Sequence, residues 1–139
     1  MGVRLLEETS YDIDIDDRPI RLQDFVIESA FGDSLGDDGL AGRFKDCFAQ
    51  AIAGAIENDG FNQLVISAGL DWRQVVLIRT CCRYLLQCRA QFSQSYIIET
   101  LRKNPDVVRA YSDLFACYFD PAISASDRER DLPRHLAAI

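Results

Sequence analysis

The sequence predicts an α+β chain that is mainly α, with an N-terminal two-strand β segment followed by a bundle of about five helices. Three observations predict it. Polar and apolar residues alternate over Tyr11-Asp12-Ile13-Asp14-Ile15, the period of a half-buried strand. Apolar residues recur at i+4 in Phe44, Phe48, Ile52 and Ile56, the period of a helix face. Helix start signals then punctuate the rest of the chain. The implied organisation is a β segment over residues 1–30, a flexible linker over 31–42, a helical domain over 43–121 and a tail over 122–139 that reads as a truncated helix.

The first strand covers Tyr11–Ile15, Asp16-Asp17-Arg18-Pro19 forms a turn cluster, and Ile20–Glu28 is a second strand able to pair with the first. Two strands alone are marginal in water, so a further layer should cover one face. Phe31–Gly42 holds Gly32, Gly36, Gly39 and Gly42 together with Asp33, Asp37 and Asp38, the composition of a mobile linker.

Helix by helix, the expectations are these. The first runs from about Leu40 to Asn58, buries the Phe44 stripe and stops at Asn58-Asp59-Gly60. A short one follows over Phe61–Ala68, ended by Gly69. The third has the clearest start: Asp71 as N-cap, Gln74 completing a capping box, and Leu70 with Val75 at the hydrophobic-staple positions. It reaches Cys88, about 27 Å at the usual rise, and its wide apolar arc makes it the central helix, with Arg79, Arg83 and Gln87 on the remaining stripe. Ser93 caps the fourth, Gln94–Lys103, with Phe92 and Ile97 as its staple. Pro105 opens the fifth, which runs to Phe119 and buries Val108, Tyr111, Leu114, Phe115 and Tyr118. In the tail, Ser126 and Glu129 make a capping-box pattern that Leu132-Pro133 interrupts.

Composition narrows the function classes. With 48% hydrophobic and 27% charged residues the chain is of the globular kind. A net charge of −7 opposes both a phosphate backbone and an anionic membrane surface, so neither nucleic acid nor membrane is an expected partner. No apolar run approaches the ~18 residues of a membrane span. Met1–Tyr11 lacks a signal-peptide layout, and a cytoplasmic setting is expected. The five cysteines, Cys47, Cys81, Cys82, Cys88 and Cys117, are odd in number, which suits free thiols in a reducing compartment.

Candidate chemistry is sparse. Cys81 and Cys88 lie seven apart among Leu77, Tyr84 and Leu85, where core packing suits them better than zinc. Asp12, Asp14 and Asp16 begin like a calcium loop, but Asp17 and Gln23 stand where the turn glycine and the bidentate glutamate belong. His135 is the sole histidine, and no nucleophile motif accompanies it. Gly36, Gly39 and Gly42 do not make a dinucleotide fingerprint. Arg79 and Arg83 could clamp an anion, although acidic neighbours are their more ordinary partners. The fourth and fifth helices have a helix-turn-helix outline, yet Arg109 is the only basic residue on the second before Tyr118. The expected catalytic, cofactor-binding and metal residues are therefore none.

Asp59-Gly-Phe-Asn-Gln-Leu-Val-Ile-Ser-Ala-Gly-Leu-Asp-Trp-Arg73, then Leu77-Ile-Arg-Thr-Cys-Cys-Arg-Tyr-Leu-Leu-Gln87, Phe92-Ser-Gln-Ser-Tyr-Ile and Tyr118-Phe-Asp-Pro121 form an ordered series of rare words. Over about Ile20–Pro121 they resemble the large bacterial NAD-specific glutamate dehydrogenases, which oxidise glutamate to 2-oxoglutarate and ammonia. The resemblance places this stretch between N-terminal ACT-like regulatory segments and the catalytic domain, with the β segment as the tail of the last ACT-like unit. It implies NAD in the parent and none here, other domains of the parent as partners, and a homo-oligomer. The family's catalytic residues belong to the later domain: the two lysines here, Lys45 and Lys103, have no catalytic setting. The chain is thus expected to be a non-catalytic structural or regulatory element, the alternative being a free-standing helical protein-interaction module.

Overall fold

The computed structural model describes residues 1–32, 38–137 and 139. An antiparallel hairpin, β1 (Val3–Ile15) and β2 (Arg18–Ser29), leads into a helical domain. That domain comprises α1 (Asp38–Ile52), a 3-10 turn (Gly60–Gln63), α2 (Leu64–Ala68), α3 (Trp72–Gln87), α4 (Gln94–Lys103), α5 (Pro105–Phe119) and α6 (Ala125–Ala137). The predicted class is correct. The sixth helix occupies the stretch read as a tail.

Both strands are longer than their alternation suggested. Register runs from Val3 opposite Ser29 to Ile15 opposite Arg18, with a bulge at Leu6. The reversal needs only Asp16 and Asp17, at φ 50° and 58°. Two consecutive residues with positive φ match the right-handed strand twist, and aspartate tolerates this region better than most residues. Arg18 and Pro19, expected in the turn, are ladder residues. Of the whole hairpin only Ser29 is buried, and no further strand covers it among the described residues. Its base faces the helices. Met1, Val3, Leu5, Phe25 and Ile27 face Phe44 and Phe48 of α1 across an apolar groove of about 320 Å³. Phe31 is anchored by the Arg102 guanidinium 4.4 Å above its ring.

Part of the expected linker is helix. Residues 33–37 lie outside the described residues, whereas Asp38–Gly42 form the first turn of α1. Glycine costs a helix about 1 kcal/mol each, which the downstream packing of Phe44 and Cys47 offsets here. At its other end α1 stops at Ile52, six residues before the expected boundary. Gly54 adopts φ 72°, and the Gly54 and Ala55 amides bond back to the Ala51 and Gln50 carbonyls. The apolar i+4 rhythm of Ile52 and Ile56 masked this stop. Ile56 is buried beyond the helix, while Ile52 is 75% exposed. The buried face of α1 is Cys47, with Phe44 and Ala51 beside it.

The core centres on the shortest helix. Leu64, Val65 and Ala68 of α2 have no exposed surface, and α2 touches α1, α3, α4 and α5. Each large apolar side chain buried here contributes about 1.5–3 kcal/mol. Phe61, Leu70, Val75, Ile78 and Val108 close around it. Gly69 ends α2 in the left-handed region at φ 66°. The start of α3 follows the sequence signal: Asp71 Oδ1 accepts from the Gln74 amide at 2.9 Å, Gln74 Oε1 accepts from the Asp71 amide at 2.9 Å, and Leu70 and Val75 are buried. The helix is not enclosed on all sides, however: Tyr84 and Leu85 are exposed.

α4 begins where expected, with Ser93 Oγ accepting from the Tyr96 amide at 3.2 Å. Phe92, expected as its staple residue, stacks on Tyr96 with ring centroids 5.4 Å apart. Pro105 starts α5. The buried residues of α5 are Val108, Ser112 and Cys117, whereas Tyr111, Phe115, Tyr118 and Phe119, the last at 66%, keep much of their surface exposed. α6 begins two residues earlier than the Ser126 pattern. Ser124 Oγ accepts from the Asp127 amide at 3.1 Å, and Pro133 lies inside the helix. Arg128 ties α6 to α5 by donating to the Cys117 carbonyl at 2.8 Å and to that of Asp120 at 3.1 Å.

The turn offers a direct check on the hairpin. Asp17→Gly should stabilise its tip by about 1 kcal/mol, since glycine populates positive φ freely. Hydrogen exchange of the tip amides should slow about fivefold. Unchanged exchange would mean the turn is not strained.

Candidate functional site

A buried charge cluster forms where the loop after α1 meets α3. Asp59 is the N-cap of the 3-10 turn, its Oδ1 accepting from the Phe61 amide at 3.0 Å. This turn carries Asn62 inward, where its Nδ2 donates to the Glu57 carbonyl at 2.9 Å. From α3, Arg79 extends into the same space and is only 4% exposed. Its Nε donates to Asp59 Oδ2 at 2.8 Å, and its Nη2 donates to Asp59 Oδ1 at 2.8 Å and to Asn62 Oδ1 at 2.6 Å. A longer bond from Nη2 reaches the Glu57 carbonyl at 3.3 Å. The Phe61 ring lies 5.8 Å from the guanidinium carbon. One turn along α3, Arg83 forms a two-pronged pair with the Glu57 carboxylate at the surface. Its hydrogen bonds hold the Glu57 carboxyl below the usual carboxylate range.

This geometry binds its own loop. Removing a guanidinium from water is costly unless hydrogen bonds and an opposite charge replace the lost hydration. Asp59, Asn62 and Glu57 supply those bonds, so Arg79 is engaged from within. Arg79 and Arg83 therefore pair with acidic neighbours. The sequence reading assigned Asp59 only to a helix stop and gave Asn62 no role. The usable signal was the Asp59-Gly60-Phe61-Asn62 string together with an arginine flanked by the apolar Val75, Ile78 and Cys82 of α3.

The remaining candidates do not converge. Cys81 and Cys88 sit on α3 and at its C-cap, Cys88 exposed and Cys81 half-buried. Tyr111 Oη donates to Cys81 Sγ at 3.3 Å at the mouth of an apolar hollow of about 220 Å³, lined by Ile78, Leu85, Leu101 and Val107. That hydrogen bond, burial and the thiol's charge push the Tyr111 hydroxyl up to about 12. Burial, with Cys81 beside it, pushes the Cys82 thiol up to about 11, and burial also raises Cys47. Asp12 is paired with Arg21 at 2.8 Å, Asp14 lies opposite Pro19, and Asp16 is in the turn. His135 shares a shallow surface hollow with Asp131 and Arg134. Gly39 and Gly42 are helical, and Gly36 lies outside the described residues. Arg109 is occupied by the Ala68 carbonyl at 3.2 Å and by Asp106. Among the described residues no group of three or more His, Cys, Asp or Glu side chains could hold a metal ion. Nor, among them, is any helix long and apolar enough to cross a membrane.

Residues 56–121, from the buried Ile56 through the Arg79 cluster to the end of α5, match the family model described as glutamate dehydrogenase, helical motif 3. The chain is similar to NAD-specific glutamate dehydrogenases of bacteria. It is 37% identical over 122 residues to the NAD-specific glutamate dehydrogenase of Halomonas elongata, covering 88% of this chain and 8% of that protein. The enzyme of the same name from Mycobacterium tuberculosis is 37% identical over 145 aligned residues, covering 100% of this chain and 9% of the relative. That of Pseudomonas aeruginosa is 35% identical over 132 residues, covering 93% and 8%. The chain thus spans less than a tenth of the length of these relatives. The family resemblance read from the rare words is confirmed, and the matched helical motif contains the whole Arg79 cluster.

Thiol reactivity tests the placement of the cysteines. In the folded chain Cys88 should alkylate readily at pH 8, while Cys47, Cys82 and Cys117 should label only after unfolding, because burial limits access and, at Cys47 and Cys82, also suppresses the thiolate. Mass spectrometry of labelled peptides distinguishes the sites. Equal labelling of Cys82 and Cys88 would contradict the packing of α3.

Proposed function

We propose that this chain is a non-catalytic structural element of an NAD-dependent glutamate dehydrogenase, holding other domains of the parent chain around a rigid helical core. The observation that carries the reading is the Arg79 cluster inside the matched motif: its buried charge is neutralised by its own loop, and the neighbouring interior is apolar. A site for chemistry needs polar groups converging on an accessible space. The two hollows beside the core are walled by apolar side chains.

A dinucleotide does not fit these residues. Its usual cradle is a parallel sheet with a glycine-rich strand-to-helix turn. The one sheet among the described residues is an antiparallel hairpin, and its turn is the acidic pair Asp16-Asp17. NAD and glutamate would be handled by the catalytic region of the parent, with oxidation of glutamate to 2-oxoglutarate and ammonia taking place there. The partners of this segment are then its flanking domains, the ACT-like regulatory units on one side and the catalytic domain on the other, within a homo-oligomer in the cytoplasm.

Exposed aromatic surface supports a docking role. Phe115 and Phe119 of α5 pack 4.6 Å apart between ring centroids, with Tyr118 beside them, and all three are partly exposed. Apolar surface of this kind marks contact with other protein.

Titration of the chain with NAD in a calorimeter should show no binding heat at millimolar cofactor. A saturable isotherm would overturn the reading.

A further inference from the structure

The two faces of the distal hairpin treat their charges differently. Register places Ser10 opposite Gln23, Asp12 opposite Arg21 and Asp14 opposite Pro19 on one face. There the polar groups satisfy each other: Arg21 pairs with Asp12 at 2.8 Å, and Gln23 donates to Glu8 at 3.1 Å. The other face carries Tyr11 opposite Leu22, Ile13 opposite Ile20 and Ile15 opposite Arg18, with Thr9 opposite Asp24 below. Its apolar side chains are exposed, Ile13 to 42% and Leu22 to 53%. Arg18 and Asp24, at the two ends of this apolar stripe, form no ion pair with any described residue. The helical domain leans on the opposite face at the hairpin base, through Val3, Leu5, Phe25 and Ile27, which leaves the apolar stripe unobstructed.

We propose that this stripe is a two-fold interface between two copies of the chain, packed face to face with the tip of one hairpin over the base of the other. The symmetry is dictated by the charges. A two-fold axis lying in the interface and crossing the strands between the Tyr11–Leu22 and Ile13–Ile20 rows reverses the hairpin direction while keeping β2 over β2. Rows on one face are about 6.7 Å apart, twice the rise per residue. Arg18 of one copy then falls over Asp24 of the other, Ile20 over Leu22, Ile13 over Tyr11 and Ile15 over Thr9. The same operation places both Arg18–Asp24 contacts at the rim and the apolar rows at the centre, the arrangement of a stable interface. The alternative two-fold, along the strands, would stack tip on tip and set Arg18 on Ile15 with no counter-charge. Charge thus selects tip over base. Glu7 then approaches the partner's Asp16-Asp17 turn, a solvated rim contact of small weight.

The outer faces of such a four-stranded sandwich carry the Asp12–Arg21 pairs into water, and the two helical domains lie at opposite ends. The footprint is small beside a standard interface, so a dissociation constant on the order of 0.1 mM is expected.

Sedimentation of the 139-residue chain across a range from micromolar to about millimolar concentration reads the proposal, with circular dichroism confirming that each variant folds. The chain should shift from monomer to dimer. Arg18→Glu and Asp24→Arg should each weaken the dimer about tenfold or more. Combined, they should restore it to within about threefold, because the two-fold brings the exchanged charges together again. Ile13→Asp should abolish it, and Ser10→Glu on the opposite face should leave it unchanged. A chain that stays monomeric throughout overturns the proposal and assigns the face to a different partner. A double variant as weak as either single one overturns the tip-over-base geometry.

Discussion

A buried guanidinium is the constraint on which this fold depends. Arg79 lies in the interior of a helix whose neighbours are almost all apolar, and the interior tolerates it only because Asp59, Asn62 and the Glu57 carbonyl surround it. Those partners come from the loop between α1 and α2. The loop must therefore take one conformation, with Asp59 capping a 3-10 turn while both its oxygens face α3. That conformation in turn delivers Phe61 and Leu64 to the centre of the core. Electrostatics and packing are linked through a few consecutive residues. Breaking a buried pair by removing one partner leaves an uncompensated charge, and the cost of several kcal/mol is a large share of the stability of any domain this size.

The hairpin obeys a different economy. Its backbone is satisfied by its own ladder, yet its side chains contribute almost nothing to the interior. It is tied to the helices by a groove at its base and by Arg102 over Phe31. A helical domain with its own apolar core and a projecting hairpin with one exposed apolar face are the features on which the proposed structural role rests. This agrees with a segment spanning less than a tenth of the dehydrogenases it resembles.

Local signals in the sequence translated well, and tertiary ones did not. The Asp71–Gln74 box, the Ser93 cap and Pro105 at the start of α5 were legible because each depends on residues within one turn of itself. The end of α1 was not: Ile52 and Ile56 preserve a helical rhythm across Gly54, and only the carbonyls that Gly54 and Ala55 satisfy reveal the stop. On α5 the expectation held for Val108 but not for Tyr111, Phe115 and Tyr118, which keep a third or more of their surface exposed while Ser112 and Cys117 are buried. Composition alone cannot separate an aromatic stripe that fills a core from one that waits on a surface. Arg79 shows the same limit from the other side. Its spacing marked a polar stripe, but its burial follows from Asp59 and Asn62, twenty and seventeen residues away in sequence.

The account turns on whether Arg79 and Asp59 stabilise the domain as a pair. A double-mutant cycle in urea, using Arg79→Met, Asp59→Leu and the double variant, measures this directly. A coupling of about 2 kcal/mol or more, with the double variant more stable than either single one, is the predicted result. Additive losses with no coupling would show that the two side chains act independently and would contradict the view that their pairing organises the domain.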